Sequence, residues 1–277
     1  MKIDQIFRNV RTLAAHPSIL RHYLRWAATK IATGSAKLTV LGARLEGFPN
    51  FSSYLGAVGN AITDAEVEFI TPRIAEAEVI FDVGANFGAF AIPFARLAPH
   101  ARVFAFEPNP QTALALRENL QRNGVTNVTV VEAAVSDREG QLIFSDTADP
   151  ATNRILTGGG EGVRVTALTI ESFCLEHGID RIDFLKIDVE GAELSVLEGA
   201  RNLFEAGAIG SGLIEICPGN LRNFGRSISD LTDFFKQAKV DLVLLGDRQG
   251  EPIDDRLLLE NAGFDCAPRG VIRDDAS

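Results

Sequence analysis

A short apolar run that ends in a glycine turn constrains the fold of this chain more than any other stretch. Val79–Val83 is almost continuously apolar, which is typical of a parallel strand covered on both faces. Gly84 and Gly88 follow, and they permit a tight turn and a close approach of the backbone to a ligand. Residues 89–97 then form an apolar helical pattern, with Pro93 early enough to be tolerated. Together these segments predict half of a nucleotide-binding unit.

The next predicted strand supplies an acid at the spacing that such a unit uses. Arg102–Phe106 is again apolar and is followed directly by Glu107 and Pro108. Glu107 lies 107 − 84 = 23 residues after Gly84, close to the roughly 20 expected for a carboxylate that accepts hydrogen bonds from ribose hydroxyls. An ordinary turn between a strand and a helix would account for the glycines alone but not for this acid. The pair of strands therefore predicts a nucleoside site.

Two residues of the turn favour S-adenosylmethionine over NAD. Asn86 stands where the dinucleotide pattern Gly-x-Gly-x-x-Gly has its second glycine. Asp82 adds a negative charge near the carboxyl end of the strand, where open α/β sheets bind their ligands. That charge disfavours a pyrophosphate and favours a sulfonium and an ammonium group. We therefore predict S-adenosylmethionine as the cofactor, with an NAD-dependent oxidoreductase as the alternative.

The following segments alternate between strands and helices, which predicts a doubly wound, mostly parallel α/β sheet. Further helices are predicted at residues 112–122, 192–204 and 228–239, and further strands at 128–131, 181–189, 212–216, 240–245 and, weakly, 264–267. Residues 135–170 break this alternation and predict an inserted β element. Within it we expect an antiparallel pair of strands, residues 141–144 and 163–165, with a mobile loop around residues 158–160. A helix at 170–177 follows.

The chain is divided in this interpretation into an N-terminal helical extension, residues 1–70, and a cofactor-binding domain, residues 71–277. Residues 1–32 are basic and helical in pattern, and Pro17 is expected to divide them into two helices. This segment is either a solvated cap or a helix that lies on an anionic membrane surface. Both interpretations stay open.

Composition excludes several classes of protein. The net charge of −10 and the isoelectric point near 5.0 argue against a general nucleic-acid-binding protein. No run approaches 18 apolar residues, so no membrane span is predicted. No secretory leader is recognised at the start, and three widely spaced cysteines favour neither a disulfide framework nor a zinc site. We therefore expect a cytoplasmic protein; the sequence does not specify its oligomeric state.

A second group of polar residues lies on the fourth predicted strand of the sheet. Lys186, Asp188 and Glu190 alternate, so Lys186 and Asp188 share one face. A lysine in a buried strand needs a partner, and a structural ion pair with Asp188 is one interpretation. The other is catalytic: Asp188 and Glu190, joined by Glu215 from the neighbouring strand, face the reacting centre, and Asp188 or Glu190 takes the proton of an acceptor hydroxyl. Three carboxylates could hold Mg²⁺, but no spacing here is diagnostic, and we predict no metal site.

Three blocks of sequence resemble the FkbM-type methyltransferases: residues 82–88, Glu107 with Pro108, and residues 185–193 followed by 197–200. The similarity extends over about residues 75–245. It implies a class I, Rossmann-like methyltransferase fold that uses S-adenosylmethionine. It also implies O-methylation of a small-molecule or glycan acceptor, at a hydroxyl of a sugar, a glycolipid or a polyketide-type product.

The resemblance also implies roles for individual residues. The methionine-side loop corresponds to Asp82, Gly84, Asn86 and Gly88, the ribose clamp to Glu107 with Pro108, the adenine contact to Glu132 and Ala133, and the methyl-transfer end to Asp188. The first 70 residues and the last 30 match nothing that names an acceptor. A methyltransferase-like binding module without turnover is therefore a further alternative.

Overall fold

The computed structural model describes residues 17–51, 53–54, 57, 62–145, 154–156, 162–246, 249–254 and 260–266. The strands in these ranges are β1 (Leu38–Val40), β2 (Ala43–Leu45), β3 (Val79–Val83), β4 (Arg102–Phe106), β5 (Val128–Val131), β6 (Ala134–Val135), β7 (Gly140–Phe144), β8 (Val163–Leu168), β9 (Ile182–Ile187), β10 (Ile209–Ile216), β11 (Asp241–Leu244) and β12 (Glu260–Asp265). The helices are α1 (Pro17–Thr33), α2 (Asp64–Ile74), α3 (Ala91–Leu97), α4 (Pro110–Arg122), α5 (Ile170–His177), α6 (Glu193–Glu198), α7 (Arg201–Ala206), α8 (Pro218–Asn223) and α9 (Ile228–Ala238).

The centre of the molecule is a seven-stranded sheet with the strand order β11-β12-β10-β9-β3-β4-β5. All neighbours pair in parallel except β12, which is antiparallel to both β10 and β11. The predicted mostly parallel α/β sheet is therefore confirmed. Strand β3 lies between β4 and β9: the chain runs outwards from β3 through β4 to β5, and later returns to the other side of β3 to form β9 and then β10. Such a reversal of strand order opens a ligand crevice at the carboxyl ends of the strands.

Apolar residues cover both faces of the sheet, as the continuous apolar pattern of β3 predicts. On one face Phe81 packs in a cluster with residues of α5, α6, α7 and α9. On the other face Ile80 packs in a second cluster with residues of α3 and α4. Leu38 and Leu45, from the hairpin formed by β1 and β2, belong to that second cluster, together with Tyr54. The N-terminal hairpin thus packs against the sheet domain; the division of the chain at residue 70 stays a prediction.

The insertion between β5 and α5 contains the predicted antiparallel pair, which is β7 with β8. A third strand, β6, pairs in parallel with β8 and was not expected, because two residues carry no periodic signal. The loop expected around residues 158–160 lies outside the described residues. Phe144 at the end of β7 forms an isolated antiparallel bridge with Ile155. Phe144 forms a small apolar cluster with Ala134 and Val165, and Ile155 packs against it.

The single helix expected at residues 192–204 is wrong, because the chain forms two short helices, α6 and α7, there. The break follows from Gly199, whose backbone lies against the insertion. An ideal Cβ at Gly199 would stand 2.1 Å from the carbonyl oxygen of Ser136, and the Gly199 carbonyl accepts a hydrogen bond from the Glu171 amide at 3.1 Å. The last strand also differs from expectation, because β12 occupies Glu260–Asp265 rather than residues 264–267.

Helices α1 and α2 precede the central sheet in the chain. Thr63 caps the start of α2 and forms a reciprocal capping box with Glu66. The break expected at Pro17 lies at the edge of the described residues, where α1 begins. No helix in the described ranges is both long and apolar enough to cross a membrane.

Candidate active site

The glycine turn after β3 adopts backbone conformations that most side chains disfavour. Gly84, Asn86 and Gly88 have φ values of 82°, 48° and 91°. Gly84 also has no room for a side chain, since an ideal Cβ would lie 1.8 Å from the carbonyl oxygen of Asp188. At Gly88 a Cβ would lie 2.6 Å from Cδ1 of Leu116, so helix α4 packs directly on the turn. The turn is therefore folded tightly against β9 and α4.

The Glu107 carboxylate is held at the end of β4 by two backbone amides. The amide of Asn86 donates to one oxygen at 3.0 Å, and the amide of Asn109 donates to the other at 2.9 Å. Burial raises the pKa of Glu107 to about 7, although both amide hydrogen bonds act to lower it. Because one of its partners belongs to the glycine turn, the acid and the turn have a fixed relative position.

A pocket of about 630 Å³, counting its open mouth, lies between the turn and the insertion. Polar groups of Gly84, Asn86, Glu107, Asp188 and Glu190 line one part of it. The apolar lining consists of Val83, Phe106, Pro108, Ala133, Ala134, Val135, Phe144, Ile155 and Val189. A nucleoside needs apolar walls for its base and an oriented acceptor for its ribose hydroxyls. The pocket offers both, so the chain's own residues fit S-adenosylmethionine.

A buried lysine connects the turn to the end of β9. The ammonium group of Lys186 lies 3.2 Å from Oδ2 of Asp188, 3.4 Å from Oδ1 of Asp82 and 3.2 Å from the carbonyl oxygen of Gly84. It also stands 4.8 Å from the ring centroid of Phe90. Burial alone would lower the pKa of Lys186, but Asp188 and Asp82 together raise it above its ordinary value. The lysine therefore stays charged and holds both acids.

Three acids converge where β9 and β10 end. Oxygens of Asp188, Glu190 and Glu215 all lie within 4.8 Å of one another. Burial and the negative charge of Asp188 raise the pKa of Glu190 to about 7 and raise that of Glu215 further still. Such a cluster can accept hydrogen bonds from hydroxyl groups, and one of its members can take a proton. Acidic groups often cluster without a metal ion, and the prediction of no metal site stays a prediction.

The structure brings most of the predicted site residues to one pocket. Gly84, Asn86, Glu107, Pro108, Ala133, Asp188 and Glu190 line it. Asp82, Gly88 and Lys186 do not line it: Lys186 pairs with Asp82 and Asp188 and donates to the Gly84 carbonyl, and Gly88 packs against Leu116. Glu215 stands beside Asp188 in the acidic cluster. The Glu132 carboxylate instead pairs with Arg117 and is 41% exposed, so its predicted adenine contact stays a prediction.

Sequence reasoning missed three contributors to the site. Phe144 and Ile155 come from the insertion, where no motif marks them. Asn220 donates from Nδ2 to Oε2 of Glu190 at 2.6 Å. It lies on α8, a six-residue helix that begins directly after β10. The one signal in the sequence for this helix was Pro218, because proline is favoured at the first position of a helix.

The family profile described as the methyltransferase FkbM domain matches residues 82–242, which include the turn, Glu107 and the acidic cluster. This chain belongs to the FkbM methyltransferase family. The predicted family is thus confirmed, and with it the enzyme class and S-adenosylmethionine as the methyl donor.

Three curated members of this FkbM methyltransferase group are similar to the chain. The 2-O-methyltransferase NoeI of Sinorhizobium fredii is 31% identical, over 44% of this chain and 57% of NoeI. The hexuronic acid methyltransferase AglP of Haloferax volcanii is 28% identical, over 63% of this chain and 68% of AglP. The 31-O-demethyl-FK506 methyltransferase FkbM of Streptomyces tacrolimicus is 34% identical, over 45% of this chain and 60% of that enzyme. The match thus covers little more than half of two of these relatives.

Proposed function

We propose that this protein methylates a hydroxyl group of a sugar, a glycan or glycolipid, or a polyketide-type product. The observation that carries the proposal is that one pocket has carboxylates at two separate places. Glu107 lies beyond the end of β4, on one side of β3, and Asp188 and Glu190 lie beyond the end of β9, on the other. One side suits a nucleoside, and the other suits a hydroxylated acceptor.

Each residue has a separate task in this proposal. Bound S-adenosylmethionine supplies an electrophilic methyl group. Glu107 accepts hydrogen bonds from the ribose, and the apolar wall holds the base. Asp188, fixed by Lys186, receives the proton of the acceptor hydroxyl, and Glu190 accepts a hydrogen bond that aligns the acceptor. A neutral hydroxyl is a poor nucleophile, so a positioned base is expected to raise turnover by roughly 10²- to 10⁴-fold.

The choice of a hydroxyl acceptor rests on the chemistry of the cluster. Carboxylates accept hydrogen bonds from hydroxyls and would repel an acceptor that carries its own negative charge close to them. The names of NoeI and FkbM specify O-methylation, and that of AglP specifies a sugar acid, whose carboxylate would have to lie away from such a cluster. We place the reaction in the cytoplasm, which the three free cysteines support.

The test is a transfer assay with methyl-labelled S-adenosylmethionine and a glycan or glycolipid extract, read by mass spectrometry. We expect one labelled methyl ether per product molecule and release of S-adenosylhomocysteine. Tight binding of S-adenosylhomocysteine with no product from any hydroxylated acceptor would favour the binding-module alternative. Binding of NAD, with no binding of S-adenosylmethionine or S-adenosylhomocysteine, would favour the oxidoreductase alternative. Dialysis against EDTA should leave turnover unchanged, because no step here uses a metal ion.

We also propose that α1 lies on an anionic membrane surface, close to a lipid-linked acceptor. Leu24 and Ile31, seven residues apart and therefore on one helix face, are 59% and 86% exposed. Residues 1–37 contain seven Lys and Arg residues against a single acid, in a chain whose net charge is −10. The variant Ile31→Glu should reduce sedimentation with phosphatidylglycerol vesicles. Leu175→Glu, changed at an equally exposed leucine on α5, should not; equal sedimentation of both variants and the parent would contradict the contact.

A further inference from the structure

Glu190 occupies an unusual position in the backbone at the carboxyl end of β9. Its φ is 56°, in the left-handed region that a residue with a Cβ seldom adopts. Such a conformation is strained and persists only where surrounding contacts impose it. With the backbone in this conformation, the Glu190 side chain lines the pocket. Contacts that hold this backbone therefore decide where the Glu190 carboxylate points.

Helix α8 supplies the closest of these contacts. An ideal Cβ at Gly191 would stand 2.5 Å from the carbonyl oxygen of Asn220, so the two backbones touch. Gly191 itself has a φ of 108°, and its amide donates to the buried carboxylate of Glu193 at 2.8 Å. The Asn220 side chain then reaches across and donates to Glu190 at 2.6 Å. The backbone and the side chain of Asn220 thus both contact the turn formed by Glu190 and Gly191.

The Glu190 carboxylate has several charged neighbours. Those that face it from the adjacent elements are Lys186 on β9, Asp188 directly after β9, Glu193 on α6, Glu215 on β10 and Arg154 in the insertion. Burial and Asp188 favour the protonated form, whereas the Asn220 hydrogen bond, Arg154 and Lys186 favour the carboxylate. Asn220 differs from these neighbours because it cannot itself gain or lose a proton. Its own charge and its capacity to donate are therefore the same at every pH.

We propose that Asn220 is a positioning residue that keeps Glu190 ionised and directed at the acceptor. The inference rests on the proposed function and assigns acceptor alignment to the Asn220–Glu190 pair. Asn220 itself need not touch the acceptor. Its loss should therefore act through Glu190 and should not affect the nucleoside side of the pocket, where Glu107 is held by other groups.

The experiment compares Asn220→Ala and Asn220→Gln with Asn223→Ala, an exposed position on the same helix. Removal of one hydrogen bond to a charged group is expected to raise the pKa of Glu190 by about one unit. In Asn220→Ala, kcat/KM for the acceptor should fall about tenfold at pH 6 and recover above pH 9, with S-adenosylhomocysteine affinity unchanged. Asn220→Gln retains a donor and should recover part of the loss. Asn223→Ala should behave as the parent protein.

A readout that needs no turnover separates this inference from the proposed function. In protein labelled with ¹³C at the glutamate carboxyl groups, the Glu190 signal is assigned by its absence in Glu190→Gln, and its titration is followed by NMR. A higher midpoint in Asn220→Ala supports the inference, even if the parent methylates no acceptor and the proposed function fails. An unchanged midpoint, or a loss of activity that is equal at every pH and accompanied by a lower melting temperature, overturns it.

Discussion

Gly84 and Asp188 are in backbone contact: a Cβ at Gly84 would lie 1.8 Å from the Asp188 carbonyl oxygen. The contact is extended by hydrogen bonds, since the Asp188 amide donates to Val83 at 3.0 Å and Lys186 donates to the Gly84 carbonyl at 3.2 Å. The cofactor turn and the proposed catalytic acid therefore form one rigid unit. A change that moves the turn must also move Asp188.

The first prediction concerns Gly84→Ala. The new methyl group cannot be accommodated without a shift of backbone, and the φ of 82° adds strain. We expect loss of about 2–4 kcal/mol from the free energy of unfolding and weaker binding of S-adenosylhomocysteine. Calorimetry and denaturant unfolding measure the two effects. Gly124→Ala is the matched control, because its φ is 64° and no atom lies within 4 Å of the added Cβ; it should cost about 1–2 kcal/mol and leave binding intact.

The second prediction concerns the ribose clamp. Glu107→Ala removes a charge-assisted acceptor, which is worth about 1.5–3 kcal/mol, so affinity for S-adenosylhomocysteine should fall by about one to two decades. Glu118→Ala, which removes an exposed acid on α4, serves as the control and should bind normally. If titration calorimetry gives equal affinities for the two variants, the assignment of Glu107 is wrong.

The third prediction concerns pH and stability. Burial raises the pKa of Glu193 to about 7 from an ordinary value of 4.5, and Glu107 and Glu190 behave in the same way. Between these values the folded state binds more protons than the unfolded state, so stability must fall as pH rises from 4.5 through 7. The melting temperature should therefore be higher at pH 6 than at pH 8. Glu193→Gln should reduce this difference, whereas Glu76→Gln, at an exposed position, should preserve it; an increase in melting temperature towards pH 8 would contradict the assignment.

Local patterns in the sequence predicted the parts of the fold and site that depend on neighbouring residues. The apolar run of β3 and the positions of Gly84 and Gly88 indicated the strand and its turn, and the spacing to Glu107 indicated the next strand end. Alternation along β9 predicted the contact between Lys186 and Asp188. These features follow from side-chain periodicity and chain geometry alone.

Contacts between distant segments could not be predicted in the same way. Asp82 is a second partner of Lys186 because the two residues are in register across β3 and β9, and sequence alone does not give that register. Glu132, which follows β5, pairs with Arg117 on α4, and no pattern in the sequence indicates that contact. Asn220 and Ile155 reach the site from a short helix and from an insertion, neither of which carries a recognisable motif.

The last prediction separates catalysis by Asp188 from a purely structural role. If Asp188 receives the acceptor proton, Asp188→Asn should lower single-turnover methylation by roughly 10²- to 10⁴-fold. The variant should stay folded, because Lys186 keeps Asp82 at 3.4 Å and the Gly84 carbonyl at 3.2 Å. Its loss of stability should be about 1–3 kcal/mol, the cost of one hydrogen bond to a charged group. Asp180→Asn, at an exposed position before β9, should match the parent in both measurements.

Lys186→Met provides the comparison that completes this test. It leaves Asp82, which is fully buried, without its cation, and it should lower the free energy of unfolding by about 3–5 kcal/mol. A structural role for Asp188 predicts a different order: Asp188→Asn would then be almost as unstable as Lys186→Met, and the folded fraction would methylate at the parent rate. Thermal melting and single-turnover methylation of both variants distinguish these outcomes. A stable Asp188→Asn with full turnover would exclude both roles, and the base would then have to be Glu190 or Glu215.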